Sequence, residues 1–125
     1  MRYMLVLRYP EKAPGELTDD VMKAGQQAFR AYARALTDAG VLLSAEILQQ
    51  SHAATMVSVR DGQLRVQDGP YADTREQIAG IFALEVPDLD AALAWAEKCP
   101  AAQWGSVEVR PSAVRVVDGT WVPAS

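Results

Sequence analysis

The segment Ile78 to Val86 constrains the fold more than any other, because it reads as a strand that is apolar on both sides. Alternation puts Ile78, Phe82, Leu84 and Val86 on one face and Ala79, Ile81 and Ala83 on the other. A strand of that kind belongs in the middle of a sheet that is covered above and below. Helices can cover one face. Something else must cover the second, since large exposed apolar patches are rare on monomers. A second copy packed sheet to sheet is the simplest cover, and the chain is expected to form a homodimer. The alternative is that the residues from Ser112 onward fold back over part of the sheet.

The elements around this strand define an α+β architecture. Arg2 to Tyr9 reads as a first strand, rich in Tyr, Leu and Val. Thr18 is a helix N-cap candidate followed by Asp19 and Asp20, and Met22, Phe29, Tyr32, Ala33 and Leu36 form an apolar stripe at helical spacing. Gly40 closes that helix. In the strand Val41 to Leu48, the apolar face Val41, Leu43, Ala45 and Ile47 is assigned to the helix side. Glu46 then faces the other way, with Leu42, Ser44 and Leu48. Asp61-Gly62 predicts a hairpin joining Thr55–Arg60 to Leu64–Gln67, and Asp68-Gly69-Pro70 breaks its second strand. Asp88 caps a second helix with Leu89, Ala92, Leu93 and Ala96 inward, ending before Pro100. Val107 to Arg110 is a further strand, and Asp118-Gly119 turns a small terminal hairpin around Trp121. Strand, helix, strand, hairpin, strand, helix, strand is the order of a ferredoxin-like, split βαβ sandwich with a hairpin insertion.

The 125 residues fit one domain spanning 1–125. Twelve Lys and Arg against sixteen Asp and Glu give a net charge of −4, with no basic run. A nucleic-acid binder needs a cationic footprint, so that class is not expected, and an acidic surface also disfavours anionic membranes. The single cysteine, Cys99, excludes an intrachain disulfide. The apolar run at the start is interrupted by Arg8 before it reaches the length of a signal peptide, and no segment approaches a membrane span. Cytoplasmic residence is the expectation.

From Asp68 the sequence runs Asp-Gly-Pro-Tyr-Ala-Asp-Thr-Arg-Glu-Gln to Gln77 and resembles the motif that names the DGPF branch of the YCII-related proteins. Tyr71 stands where Phe is usual, Asp73 where Glu is usual and Arg75 where Lys is usual. Met1-Arg2-Tyr3-Met4, Asp38-Ala39-Gly40-Val41-Leu42, Val86-Pro87-Asp88-Leu89-Asp90, Cys99-Pro100-Ala101-Ala102 and Gly105 to Pro111 extend the likeness over residues 1–111, with 112–125 as a C-terminal extension. The resemblance implies a ferredoxin-like fold and a homodimer whose two sheets form an α+β barrel with a cleft. It implies no settled activity, and some bacterial members are encoded beside sigma factors. The wider family's proposed acid–base pair is a His on the first helix and an Asp before the Pro after the second. Here that helix has no histidine and Cys99 precedes Pro100, so the dyad does not carry over.

Two carboxylates are the candidate catalytic groups. Asp68 is either a turn former or a carboxylate at a cleft rim. Glu46 sits among Leu42, Ser44 and Leu48 on the face that a dimer would cover. A carboxyl buried without a cation becomes a stronger base, which suits proton transfer. A structural ion pair with Arg8 or Arg110 is the alternative. The candidate ligand contacts are Arg8, Tyr71, Phe82 and Arg110; Tyr71 and Phe82, with Tyr32 and Trp95, also read as core or pocket wall. His52 is a lone histidine in a polar loop with no second ligand at metal spacing, so no metal is expected. Cys99 falls at a helix C-terminus, where the dipole opposes a thiolate, and reads as a small buried residue. No phosphate loop or dinucleotide fingerprint is present, and no cofactor is expected. The leading expectation is a domain that binds a small organic molecule in a cleft. The alternative is a cofactor-free lyase- or isomerase-type enzyme using Glu46 or Asp68.

Overall fold

The computed structural model describes residues 1–13, 15–69 and 75–123. In order these form β1 (Arg2–Tyr9), α1 (Asp19–Asp38), β2 (Leu42–Ile47), a short 3-10 turn (Ser51–Ala53), β3 (Thr55–Arg60), β4 (Gln63–Asp68) and β5 (Gln77–Glu85). They continue with α2 (Leu89–Lys98), α3 (Ala101–Trp104), β6 (Ser106–Pro111), β7 (Val114–Val117) and β8 (Thr120–Pro123). A four-stranded sheet has the order β2-β5-β1-β6 with every neighbouring pair antiparallel, while β3–β4 and β7–β8 are separate hairpins. The fold is α+β, and its strand order is compatible with the split βαβ arrangement.

Local chemistry explains the elements. The Val21 amide donates to Thr18 Oγ1 at 3.2 Å, with Asp19 and Asp20 in the positive first turn of α1. At the other end Gly40 adopts φ +73°, and the amides of Gly40 and Val41 donate to the carbonyls of Thr37 and Leu36, a Schellman closure. The Ala91 amide donates to Asp88 Oδ1 at 2.9 Å to start α2. Asp61 and Gly62, and again Asp118 and Gly119, take positive φ in pairs, the geometry a tight two-residue hairpin turn requires.

β5 is central, as its double-sided pattern predicts. Tyr3, Leu5, Leu7, Phe82, Leu84 and Val86 project from the sheet into one core with Tyr32 and Leu36 of α1, Ala92 and Ala96 of α2, and Cys99 and Ala101. The Tyr32 hydroxyl crosses this core to donate to the Trp95 carbonyl at 2.7 Å. Gly105 lets β6 begin against β1, because a Cβ there would collide with the Arg8 carbonyl oxygen.

Three expectations need correction. A register shift between Leu42 and Ser44 puts Leu42 opposite Leu84 on the helix side, so strict alternation fails at the start of β2. Leu89 and Leu93 are exposed, and α2 buries Ala92 and Ala96 instead. Met22 is also exposed. Asp68 is the last paired residue of β4, opposite Thr55, and the strand ends at Gly69 with φ +84°; the rest of the expected turn, from Pro70, lies outside the described residues.

Candidate functional site

The helices leave one face of the four-stranded sheet open. The paired registers place side chains there in rows. Glu46, Ile81, Val6 and Glu108 form one row across β2, β5, β1 and β6, and Ser44, Ala83, Met4 and Arg110 form the next. The middle of the face is thus apolar, built from Met4, Val6, Ile81 and Ala83, and its edges are charged.

The β6 edge carries a cluster. Glu108 Oε1 lies 3.3 Å from Arg8 Nη2, and Glu108 Oε2 lies 2.5 Å from Arg110 Nη2. One carboxylate between two guanidiniums leaves an excess positive charge, and Arg110 is largely exposed. On the β2 edge Glu46 is exposed and, among the described residues, has no ion-pair partner. The alternative of an ion pair between Glu46 and Arg8 or Arg110 is not formed: β2 is two strand spacings, roughly 10 Å, from Arg8 on β1 and three, roughly 14 Å, from Arg110 on β6, and Glu108 takes both arginines.

The other candidates scatter. Phe82 is 2% exposed in the helix-side core, on the face opposite Glu46, so it cannot contact a ligand on the open face; its reading as a ligand contact is corrected to a core role. Asp68 is exposed at the end of β4, in a different sheet from Glu46. Tyr71 lies outside the described residues. His52 is exposed on the 3-10 turn. Cys99 is 1% exposed, and burial pushes its thiol pKa up, away from a reactive thiolate.

Glu108 was missed by sequence reasoning. The signal was available: Ser106, Glu108 and Arg110 alternate on one face of β6, but only the register with β1 reveals that Arg8 and Arg110 share its carboxylate. A second set of polar contacts secures the segments beyond Tyr9 and Arg75. The Ser51 amide donates to Glu11 Oε2 at 2.7 Å, and the Ser106 hydroxyl donates to Glu76 Oε2 at 3.0 Å. Tyr9 stacks edge-on against Trp104, which also meets Phe29, and half-burial raises the Tyr9 hydroxyl pKa, with Cys99 and Glu11 adding to it. No helix among the described residues is long and apolar enough to cross a membrane.

An apolar floor with an exposed carboxylate on one rim and guanidiniums on the other can hold a small organic molecule by its hydrophobic body and orient it by a polar group. Comparison with known proteins places the chain in a family. The model of the YCII-related domain matches residues 1–114. A similar protein, "Uncharacterized protein R00369" of Rhizobium meliloti (strain 1021), is 36% identical over 83 residues, covering 65% of this chain and 67% of that protein. The chain belongs to the family of YCII-related domains.

Proposed function

We propose that the chain is a cytoplasmic, ferredoxin-like member of the DGPF branch whose open sheet face is covered by a second copy. The two sheets would then enclose a cleft, as in a dimeric α+β barrel, that binds a small organic molecule. The observation that carries this reading is the open face itself: a floor of Met4, Val6, Ile81 and Ala83 bounded by Glu46 on one edge and by Arg8, Glu108 and Arg110 on the other. The two hairpins carry further apolar surface. Their own apolar residues, Val57, Val59, Leu64 and Val66 on one hairpin and Val114, Val116 and Trp121 on the other, are exposed and also call for a partner. The excess guanidinium charge favours a ligand with a carboxylate or similar anionic group.

A second reading, cofactor-free proton transfer by Glu46 or Asp68, is favoured by one observation: Glu46 has no ion-pair partner among the described residues. The lost histidine–aspartate pair weighs against it. Calorimetric titration of the protein with small carboxylic acids and their neutral amides separates binding from its absence. Saturable binding of an acid that is weakened by Arg8→Gln or Arg110→Gln is the expected result. Failure of every acid and amide to bind the wild-type dimer would overturn the reading.

A further inference from the structure

The β3–β4 hairpin carries a second group of arginines, in a sheet separate from the open face. Its register sorts the side chains by face. Val57 opposes Val66 and Val59 opposes Leu64 on one face, with Thr55 and Asp68 at its base. The other face holds Met56 opposite Gln67, Ser58 opposite Arg65 and Arg60 opposite Gln63. Asp68 is thus on the apolar face, and Asp61 sits in the turn with φ 52°, so the arginine face bears no carboxylate. Neither Arg60 nor Arg65 has an ion-pair partner among the described residues. Arg60 Nη1 donates to the adjacent Val59 carbonyl at 3.4 Å, a long bond that uses one of the fork's donors. A cleft of about 580 Å³ opens on this hairpin, lined by Ser58, Arg60, Arg65, Val66 and Gln67.

We propose that the arginine face of this hairpin binds a dianionic phosphate group, free or carried on a monoester, between Arg60 and Arg65. On a chain of net charge −4, two guanidiniums without a carboxylate make a local field opposite in sign to the whole. Gln63, opposite Arg60, is two residues before Arg65, so the two arginines are diagonal neighbours with Cα atoms about 7–8 Å apart. Side chains of that length converge on one tetrahedral anion, each offering a planar fork of donors. Ser58, half-buried and directly across from Arg65, adds a hydroxyl donor. A carboxylate would leave one guanidinium unmatched, whereas a phosphate monoester, with a charge of about −1.5 to −2 at neutral pH, matches both. Side chains supply the donors, so the site needs no glycine-rich loop. It is also independent of the open sheet face, where Glu108 already partners Arg8 and Arg110.

Calorimetric titration of the full chain with inorganic phosphate, phenyl phosphate and acetate tests this, at about pH 8 where both phosphates are dianions. Saturable binding of a phosphate compound is expected, with acetate at least about tenfold weaker because it engages one guanidinium. Tighter binding of phenyl phosphate supports the site as one for a monoester, and tighter binding of inorganic phosphate supports it as one for the free anion. Arg60→Gln and Arg65→Gln should each weaken the phosphate affinity about tenfold, the loss of one charge-assisted contact. Arg110→Gln, on the open sheet face, should leave it unchanged. Absence of saturable binding by either phosphate compound would overturn the proposal. So would acetate binding as tightly as phosphate, or phosphate binding that survives in the Arg60→Gln/Arg65→Gln double variant. Amide chemical shifts of the unaltered protein give a second measurement that needs no variant to fold. Phosphate should move the amides from Ser58 to Gln67. Shifts confined to Ser106–Arg110 would contradict the assignment and place the anion on the open face instead.

Discussion

Glu46 and Glu108 occupy one register row of the open sheet face, at its two opposite edges, with Ile81 and Val6 between them. They are not equivalent. Glu108 is held between Arg8 and Arg110, whereas Glu46 has no ion-pair partner among the described residues. Glu46→Gln is therefore expected to keep the fold, with a change in unfolding free energy within about 0.5 kcal/mol for the isolated chain. It should reduce ligand binding or turnover measured on the same sample. A much larger loss of stability in monomeric chains, read from urea unfolding, would show that Glu46 anchors the fold.

Tyr32 supplies a pH prediction. Burial raises its hydroxyl pKa well above the ordinary value, with Cys99 adding to the shift. A group whose pKa is higher in the folded than in the unfolded state binds its proton more tightly when folded. Its contribution is then fully present below the unfolded value, about 10, and is lost as pH climbs above it toward the folded value. Stability should fall above about pH 10, and Tyr32→Phe should flatten that decline. The same change should cost about 1 kcal/mol at neutral pH through loss of the bond to the Trp95 carbonyl. An unchanged alkaline slope in Tyr32→Phe would assign the decline to other groups.

Cys99→Ala should leave binding or turnover intact. The thiol is in the core and burial disfavours its ionised form, so only packing is lost, on the order of 1 kcal/mol. Loss of activity at unchanged melting temperature would mark it as a reactive group instead.

Gly105→Ala is expected to destabilise by about 1–3 kcal/mol, since a methyl group there meets the Arg8 carbonyl oxygen and the Tyr9 backbone and must force β6 away from β1. Because Glu108 and Arg110 lie just downstream on β6, the same change should loosen their pairing with Arg8. Thermal unfolding together with the salt dependence of ligand binding would report both effects, and wild-type values in each would contradict the close approach.

Much of this arrangement was legible from residue order alone. The double-sided apolar pattern from Ile78 to Val86 located the central strand, and alternation placed Glu46 on the open side. Asp61-Gly62 and Asp118-Gly119 set both hairpins. The failures have physical causes. Leu42 changed face because a register shift interrupts the two-residue period, and no residue type announces that shift. Helical spacing puts Leu89, Ala92, Leu93 and Ala96 on one stripe of α2, but only its alanine side meets the core. Alanines at 92 and 96 let the helix pack inward and left the leucines outside. The Arg8–Glu108 pair joins residues 100 positions apart and is visible only once β1 and β6 are in register.

The central claim is that a second copy covers the open sheet face, and the molar mass in solution tests it most directly. Light scattering coupled to gel filtration at micromolar concentration should give twice the mass of one chain. A single-chain mass under those conditions would contradict the account, leaving the apolar floor of Met4, Val6, Ile81 and Ala83 without the cover assigned to it.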